Sequence, residues 1–493
     1  MTAALSIPPL RVLQVSAELV PYAKTGGLGD VTGALPDALR ALDVDLRLLV
    51  PGYPAVCEAL QQAVPLRTLS LPWGGSVRLL RGQLPGFEGR PSYVLEAPAL
   101  FHRPGTPYAN PDGTLFPDNF WRFAALSYAA AQLGLGWDGA WWPAVVHAHD
   151  WHTGLTPAYL THARGQSLGT ARSVFTVHNL AYQGLFPAEV YPQLGLPPDG
   201  FAMEGVEFHG QVGFMKAALH HADAITTVSP TYAKEIQTPA WGCGLDGLLR
   251  RRAAQVHGVL NGVDPRVWRP ASDPHLACGY TVDDLAGKTV CKTDLQRSLG
   301  LSMQTDAPLY GVVSRLVSQK GMDLVLAGLD ALLVGGAQLV VLGQGDATLE
   351  AGFEAAAQAH PARVALMRGM DEGLAHRVMA GADVVLVPSL FEPCGLTQMY
   401  ALAYGSLPLV RRVGGLADTV ADCSLENLVD ARATGIVFER FDLVDYTQAL
   451  RRVRTLWSDP AAWRRVQQVA MAQRHGWDLA AQAYAALYRS VLQ

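Results

Sequence analysis

At 493 residues the chain has room for about three average domains, and equally for two large α/β domains. Hydrophobic residues at 49% and charged ones at 16% describe a globular chain with an ample core that needs no covalent staple. A formal net charge of −5, from 38 basic and 43 acidic side chains without a basic tract, speaks against a nucleic-acid role. No run is long and apolar enough to read as transmembrane, and six cysteines scattered at 57, 243, 278, 291, 394 and 423 favour reduced thiols in a cytoplasmic protein.

The first predicted strand, Arg11 to Ser16, starts close to Met1, and residues 2–10 lack a charged start and a long apolar run, so no secretory leader is expected. The strand leads into Lys24-Thr25-Gly26-Gly27-Leu28-Gly29-Asp30-Val31. Glycines in such a loop let backbone amides approach a phosphate or a sugar. The spacing fits neither common phosphate fingerprint. Thr32 stands where a dinucleotide site needs a further small residue, and Lys24 precedes the glycines, whereas in an ATPase loop it follows them. A tight turn with an exposed lysine is the plain alternative. Asp43-Val44-Asp45 nominally matches an Asp-x-Asp metal motif but reads as a helix exit into the strand Val44 to Val50.

Strands at Val145 to Ala148, Ser173 to Val177 and Ala224 to Val228 alternate with Ala/Leu-rich amphipathic stretches, the pattern of β-α-β units and a parallel sheet. Ligands gather at the C-terminal strand ends of such sheets. His147, His149, Asp150 and His152 fall at one of these ends, and His178 with Asn179 at another. Strand alternation places His147 and His149 on one face, with Asp150 as a further oxygen, so a metal cluster and a set of buried hydrogen-bonding histidines are both open. Trp121, Trp141, Trp142 and Trp151 offer flat faces for stacking, with core packing as the role of at least two.

Asn261-Gly262, Asp264-Pro265, Arg269-Pro270 and Asp273-Pro274 crowd turn-formers together, and an interdomain hinge is expected there. A second alternating series follows at Pro308 to Val313, Ala337 to Leu342, Val364 to Met367, Val384 to Val387 and Leu407 to Val410, a second nucleotide-binding-like domain. The turn after its first strand bears Arg315 and Lys320. A planar two-pronged cation beside a compact one suits a diphosphate and stabilises charge growing on a leaving phosphate, although solvated surface cations are the alternative. The apolar run Ala382 to Ser389 then ends in Phe391-Glu392-Pro393-Cys394-Gly395-Leu396-Thr397-Gln398. This sets the carboxylate of Glu392 at a strand mouth. After Gly395 comes a predicted helix, Leu396 to Tyr404, whose first amides suit an anion. A final helix, Leu479 to Tyr488, follows a break at Gly476-Trp477-Asp478.

Taken together, Lys24 to Val31, His147 to His152, Thr176 to Gly184, Val228 to Ala233, Leu260 to Asp264 and the Arg315/Lys320 and Glu392 segments resemble bacterial glycogen synthases and plant starch synthases, in order along nearly the whole chain. The resemblance implies an α/β fold of two Rossmann-like doubly wound parallel-sheet domains facing a deep interdomain cleft, the GT-B fold. The first domain would span 1–258 and be completed by a helix at 477–493 that crosses back, and the second would span 259–476. The implied activity is a retaining transfer of glucose from ADP-glucose to the non-reducing end of an α-1,4-glucan, extending glycogen as the domains close, without metal or cofactor. Alternatives are UDP-glucose as donor, a disaccharide-forming transferase of the same architecture, and a glucan-binding protein that has lost catalysis. By resemblance Glu392, Arg315, Lys320 and His178 form the catalytic set. Lys24, Gly26, Gly27, Asn179, Asn261, Cys394, Gly395, Leu396 and Thr397 would bind the donor, and Asp30 and Asp150 would orient the sugar or acceptor. One position departs from the wider superfamily: eight residues after Glu392, where a second glutamate would grip the ribose, stands Tyr400.

Overall fold

The computed structural model describes residues 9–164 and 170–493, so most of the segment read above for a leader lies outside the described residues. The chain divides into two compact units, Met1–Leu260 with Trp477–Gln493, and Asn261–Gly476.

The first unit is built on a nine-stranded sheet. Its strands are β1 (Leu10–Val15), β2 (Val44–Pro51), β3 (Gln61–Ser70), β4 (Ser76–Gln83), β5 (Ser92–Glu96), β6 (Val145–His149) and β7 (Arg172–Val177), joined by β11 (Ala224–Thr227) and β12 (Val256–Gly258). The order is β12-β11-β7-β6-β1-β2-β5-β4-β3. Pairing is parallel from β12 to β5. The apolar runs explain this. Val12, Leu13, Val15, Val145, Val146, Val174, Phe175 and Ile225 have no exposure at all, as strands covered on both faces require. The antiparallel hairpin β3–β4 at one edge was not expected. Most of β3 faces solvent, so it carries no apolar period to read. A small antiparallel sheet, β8 (Leu185–Pro187), β9 (Glu207–Phe208) and β10 (Gln211–Gly213), follows the same unit's loops. The final helix is longer than its sequence pattern suggested, Trp477–Ser490, and the predicted break at 477–478 lies inside its first turn. It buries Tyr484 and Tyr488 in the first unit, where the Tyr488 hydroxyl bonds His147 Nδ1 at 2.7 Å.

The second unit holds six parallel strands, β13 (Leu309–Val313), β14 (Gln338–Leu342), β15 (Val364–Met367), β16 (Val384–Val387), β17 (Leu407–Arg411) and β18 (Ile436–Phe438), in the order β15-β14-β13-β16-β17-β18. The chain builds one half outward from β13 and the other outward from β16. Each sheet thus has a switch point, between β1 and β6 in the first and between β13 and β16 in the second, the place where ligands of such sheets commonly bind. Among the described residues no helix is long and apolar enough to cross a membrane, and all six cysteines are free thiols.

Two lysines of the helix Ala286–Ser298 are buried in the second unit. Lys292 pairs with Asp383 at 2.7 Å, whereas the Lys288 ammonium donates to neutral groups among the described residues, the Ala380 carbonyl at 2.9 Å and Ser406 Oγ at 2.7 Å. Burial pushes the Lys288 ammonium down from 10.5 to about 7, partly countered by the Asp383 charge. A folded pKa below the unfolded one means that this group's contribution is full above the unfolded value and is lost as pH falls towards 7. Replacing it with methionine should therefore change stability in a pH-dependent way. The stability of Lys288→Met relative to the parent should drop by about 2 kcal/mol between pH 7 and 9, at about 1.4 kcal/mol per pH unit for one proton. Urea unfolding at the two pH values measures it, and a pH-independent difference would refute the assignment.

Candidate active site

In the second unit the loops after β13 and β16 are fastened to each other. Leu390 N–H donates to the Gln319 carbonyl at 2.8 Å, and Gln319 Nε2 donates to the Phe391 carbonyl at 3.3 Å. Gly321 takes a left-handed φ of 73° directly against the Pro388 carbonyl, where a Cβ would collide. This fastening carries Lys320 to Glu392. Lys320 Nζ donates to Glu392 Oε2 at 2.6 Å, and the fully buried Ser389 hydroxyl donates to the same oxygen at 3.0 Å. Glu392 is only 6% exposed. Beneath the loop lies the helix Gly414–Thr419, whose Gly415 amide donates to the Glu392 and Pro393 carbonyls at 3.2 Å. Gly414, at φ 42°, lies so close to the Glu392 carbonyl that any side chain would strike it.

The rest of the Glu392 loop is held from within. Gln398 Nε2 donates to the Cys394 and Gly395 carbonyls at 3.1 and 2.8 Å and to Thr419 Oγ1 at 3.1 Å. Gly395 adopts φ 72°, and the following helix runs Thr397–Ala403, with Leu396 and Thr397 half-buried and no side chain capping its first turn. Burial pushes the Cys394 thiol up to about 12, with smaller upward effects from Glu392 and Asp418 and an opposing one from the Asn261 amides beside it. It is a packing residue at neutral pH, not a thiolate. Asn261 is buried, and its Oδ1 has no hydrogen-bond partner among the described residues. Arg315 is exposed and pairs with no carboxylate among the described residues, so it is not gathered onto Glu392 as Lys320 is.

In the first unit the predicted residues follow β1, β6 and β7, adjacent strands at that sheet's switch point. Lys24 is half-exposed and pairs at 2.7 Å with Asp30, in the first turn of the helix Gly27–Arg40. The Thr25 and Gly26 amides donate to Glu18 Oε2 at 2.9 and 3.2 Å, while Tyr108 donates its hydroxyl to Oε1 at 2.6 Å. A Cβ on Gly26 would meet nothing, so that position is open to a ligand but not sterically reserved for glycine. Burial raises the Glu18 pKa, against the pull of these bonds. Sequence reading missed Glu18, although an acid a few residues beyond a buried strand, as at Glu392, is a signal that was there to be read.

Asp150 takes a left-handed φ of 60°, unusual for a non-glycine residue, with its N–H donating to the Thr176 carbonyl at 2.9 Å and its carboxylate accepting from Trp151 N–H at 3.1 Å. Burial lifts its pKa well above the carboxylate range. Of the two readings of the histidines, the structure realises hydrogen bonding. His147 joins Tyr488 and Thr176 Oγ1 at 2.7 and 2.6 Å, and His149 Nδ1 lies 3.0 Å from His178 Nε2. Burial brings His147 and His178 down to about 3 and His149 and His152 well below the usual value, so all four rings are neutral at physiological pH. Among the described residues no group of three or more His, Cys, Asp or Glu is placed to hold a metal ion. Asn179 Oδ1 closes a turn by accepting from Ala181 N–H at 3.0 Å. Trp141 is core and Trp151 packs on Phe123 and His152, whereas Trp121 and Trp142 stay 37% and 50% exposed.

Two family models match the chain, "Starch synthase catalytic domain" over residues 11–251 and "Glycosyl transferases group 1" over 300–468. A protein named "Glycogen synthase" from Variovorax paradoxus (strain S110) is 53% identical, covering 98% of this chain and 99% of its own. One of the same name from Francisella tularensis subsp. novicida (strain U112) is 48% identical over 98% and 99%. Among solved structures, the catalytic domain of starch synthase IV from Arabidopsis thaliana bound to ADP and acarbose matches with a TM-score of 0.87 at 32% identity, covering 98% and 99%. Sucrose-phosphate synthase from Thermosynechococcus elongatus matches at 0.58 and 18%, a likeness of fold alone.

If Glu18 holds the glycine-rich loop, Glu18→Ala should speed hydrogen exchange of the Thr25 and Gly26 amides by about ten-fold or more, leaving the β1 amides protected. Unchanged exchange at both positions would show that the loop is fixed by other contacts.

Proposed function

The chain belongs to the glycogen synthase family, and on that premise we propose that it transfers glucose from ADP-glucose to the non-reducing end of an α-1,4-glucan with retention of configuration. It is a glycosyltransferase of the starch and glycogen synthase type, built on the two parallel-sheet domains of the GT-B fold. The observation that carries the proposal is Glu392, nearly buried at the switch point of the second sheet with Lys320 on one of its oxygens.

Both donors on Glu392 converge on Oε2, which leaves Oε1 to accept hydroxyl hydrogen bonds from the donor glucose. A carboxylate so placed favours the positive charge that develops at the sugar C1 as the bond to the diphosphate breaks. Lys320 has three hydrogens and can serve Glu392 and a phosphate oxygen together, and the exposed Arg315 has a free guanidinium fork for the diphosphate. The acceptor 4-hydroxyl attacks C1 from the face that the phosphate leaves, forming the new C1–O bond while its proton passes to the departing phosphate oxygen. In this reading Asn261, Cys394, Gly395, Leu396 and Thr397 line the donor's seat on the second unit. Lys24, Gly26, Gly27, His178 and Asn179 of the first unit serve the donor, and Asp30 and Asp150 orient the sugar or acceptor. A neutral His178 would serve by hydrogen bonding, since burial keeps it uncharged. No metal or cofactor has a part, and a cytoplasmic location fits a soluble sugar nucleotide.

Purified protein given glycogen with radiolabelled ADP-glucose or UDP-glucose should incorporate label into precipitable polymer from ADP-glucose, undiminished by chelator. Label in a disaccharide, or none in polymer from either donor, would sink the glucan-extending assignment. Glu392→Ala should lower kcat by about a hundred-fold or more while the protein stays folded. Near-normal turnover would remove Glu392 from the catalytic set.

A further inference from the structure

Residues 261–273 open the second unit and run across the helices Glu372–Gly381 and Thr397–Ala403, touching the Glu392 loop and its supports at several points. At one end Asn261 places its amides beside the Cys394 sulfur, two residues from Glu392. Seven residues on, the Trp268 indole stacks flat on the Tyr400 ring, with centroids 3.8 Å apart and planes 8° from parallel. It also stacks on the His376 imidazole, at 3.9 Å and 8°. At the far end Asp273 Oδ2 accepts from Tyr404 Oη at 2.5 Å and from His376 Nδ1 at 2.7 Å, and Oδ1 accepts from the His275 amide at 2.9 Å. One segment is thus fastened to one helix through His376 and to the other through Tyr400 and Tyr404.

Tyr400 is where this tie meets the site. Its amide donates to the Leu396 carbonyl at 3.0 Å, and Gln398, two residues before it, holds the Cys394 and Gly395 carbonyls. A rotation of the helix Thr397–Ala403 about its axis would move those carbonyls, and with them the backbone that aims Glu392. Flat ring stacking resists such a roll, since it forfeits the full face-to-face contact.

We propose that residues 261–273 form a positioning strap, in which Trp268, stacked on Tyr400 and anchored through His376 and Asp273, holds the Glu392 loop in its working geometry. This rests on Glu392 being the carboxylate that supports transfer. It also gives Tyr400 a role that the superfamily glutamate at this position would not have, since its ring is committed to the stack. Trp268 and Tyr400 are positioning residues, acting through Glu392.

The test is a double-mutant cycle with ADP-glucose and glycogen, assayed well below each variant's melting temperature. Trp268→Leu should lower kcat by about ten- to hundred-fold, the scale of a misplacement near 1 Å, and Trp268→Phe should restore most of it. In a Glu392→Ala background the same Trp268→Leu change should cost less than about three-fold, because effects acting through one group do not add. A purely structural role would lower the melting temperature and leave kcat per folded molecule alone. If Trp268→Leu does not fold, Tyr400→Leu takes its place in the cycle, since that ring is already partly exposed. Unchanged kcat in the folded variant, or an equal loss with and without Glu392, overturns the strap. A Glu392→Ala enzyme of near-normal turnover would instead overturn the role of Glu392, and the strap with it, a result visible before any Trp268 variant is made.

Discussion

A carboxylate that is 6% exposed and paired with a lysine is the constraint from which the second unit's site follows. Such a group is costly to bury unless opposite charge and hydrogen bonds come with it. Lys320 and Ser389 supply both, and they reach Glu392 only because the loops after β13 and β16 are fastened through Gln319, Leu390 and the Gly321–Pro388 contact. The parallel order puts those two strands side by side where the sheet changes direction. Sheet topology, loop fastening and ion pair are therefore steps of one arrangement, and loss of Gly321 or Gly414 would disturb the carboxylate without touching it.

The two units use buried acids in different ways. Glu392 keeps one oxygen clear of protein donors, whereas Glu18 spends both, on two loop amides and a tyrosine hydroxyl. The first arrangement leaves Oε1 without a protein donor among the described residues, and the second ties the glycine-rich loop to the end of β1. What Glu18 leaves available is the exposed lysine of the loop it shapes. The histidines follow the same economy: burial strips their charge, so they orient neighbours through hydrogen bonds and add no cation to the first unit's strand mouths.

Much of this was legible in the sequence, and the reason is physical. Strands buried on both faces are written as short unbroken apolar runs, so β1, β2, β6, β7 and β13 to β17 could be placed to within a residue or two. Asp150 and His178 fall directly after such runs, and the glycine-rich loop, Lys320 and Glu392 lie in the loops that follow them, which is why the sheet mouths could be named from pattern. The edge hairpin β3–β4 escaped because a largely solvent-facing strand has no apolar code. Glu18 and Ser389 escaped for another reason: their importance lies in which atoms they touch across 7 to 90 positions of sequence or in a tight local turn, and neither appears in spacing. The glycine-rich loop could be seen in the sequence, but its tie to Glu18 through the Thr25 and Gly26 amides could not.

Tyr400 carries the deepest consequence of that limit. Read as one letter, it is the absence of a glutamate; in three dimensions it is the outer ring of a stack continuing through Trp268 to His376. Trp268 lies 132 positions before Tyr400 and 108 before His376, so no local pattern could reveal the contact. A polar group that grips a ligand from this helix would leave the helix itself to be held by other means. An aromatic ring that grips a neighbouring segment holds the helix and leaves ligand recognition to the backbone and side chains around Glu392. Exchanging one residue type for the other at a single position thus moves a function from the ligand to the scaffold, and the buried Asp273–His376–Tyr404 network is what makes the scaffold side of that exchange rigid.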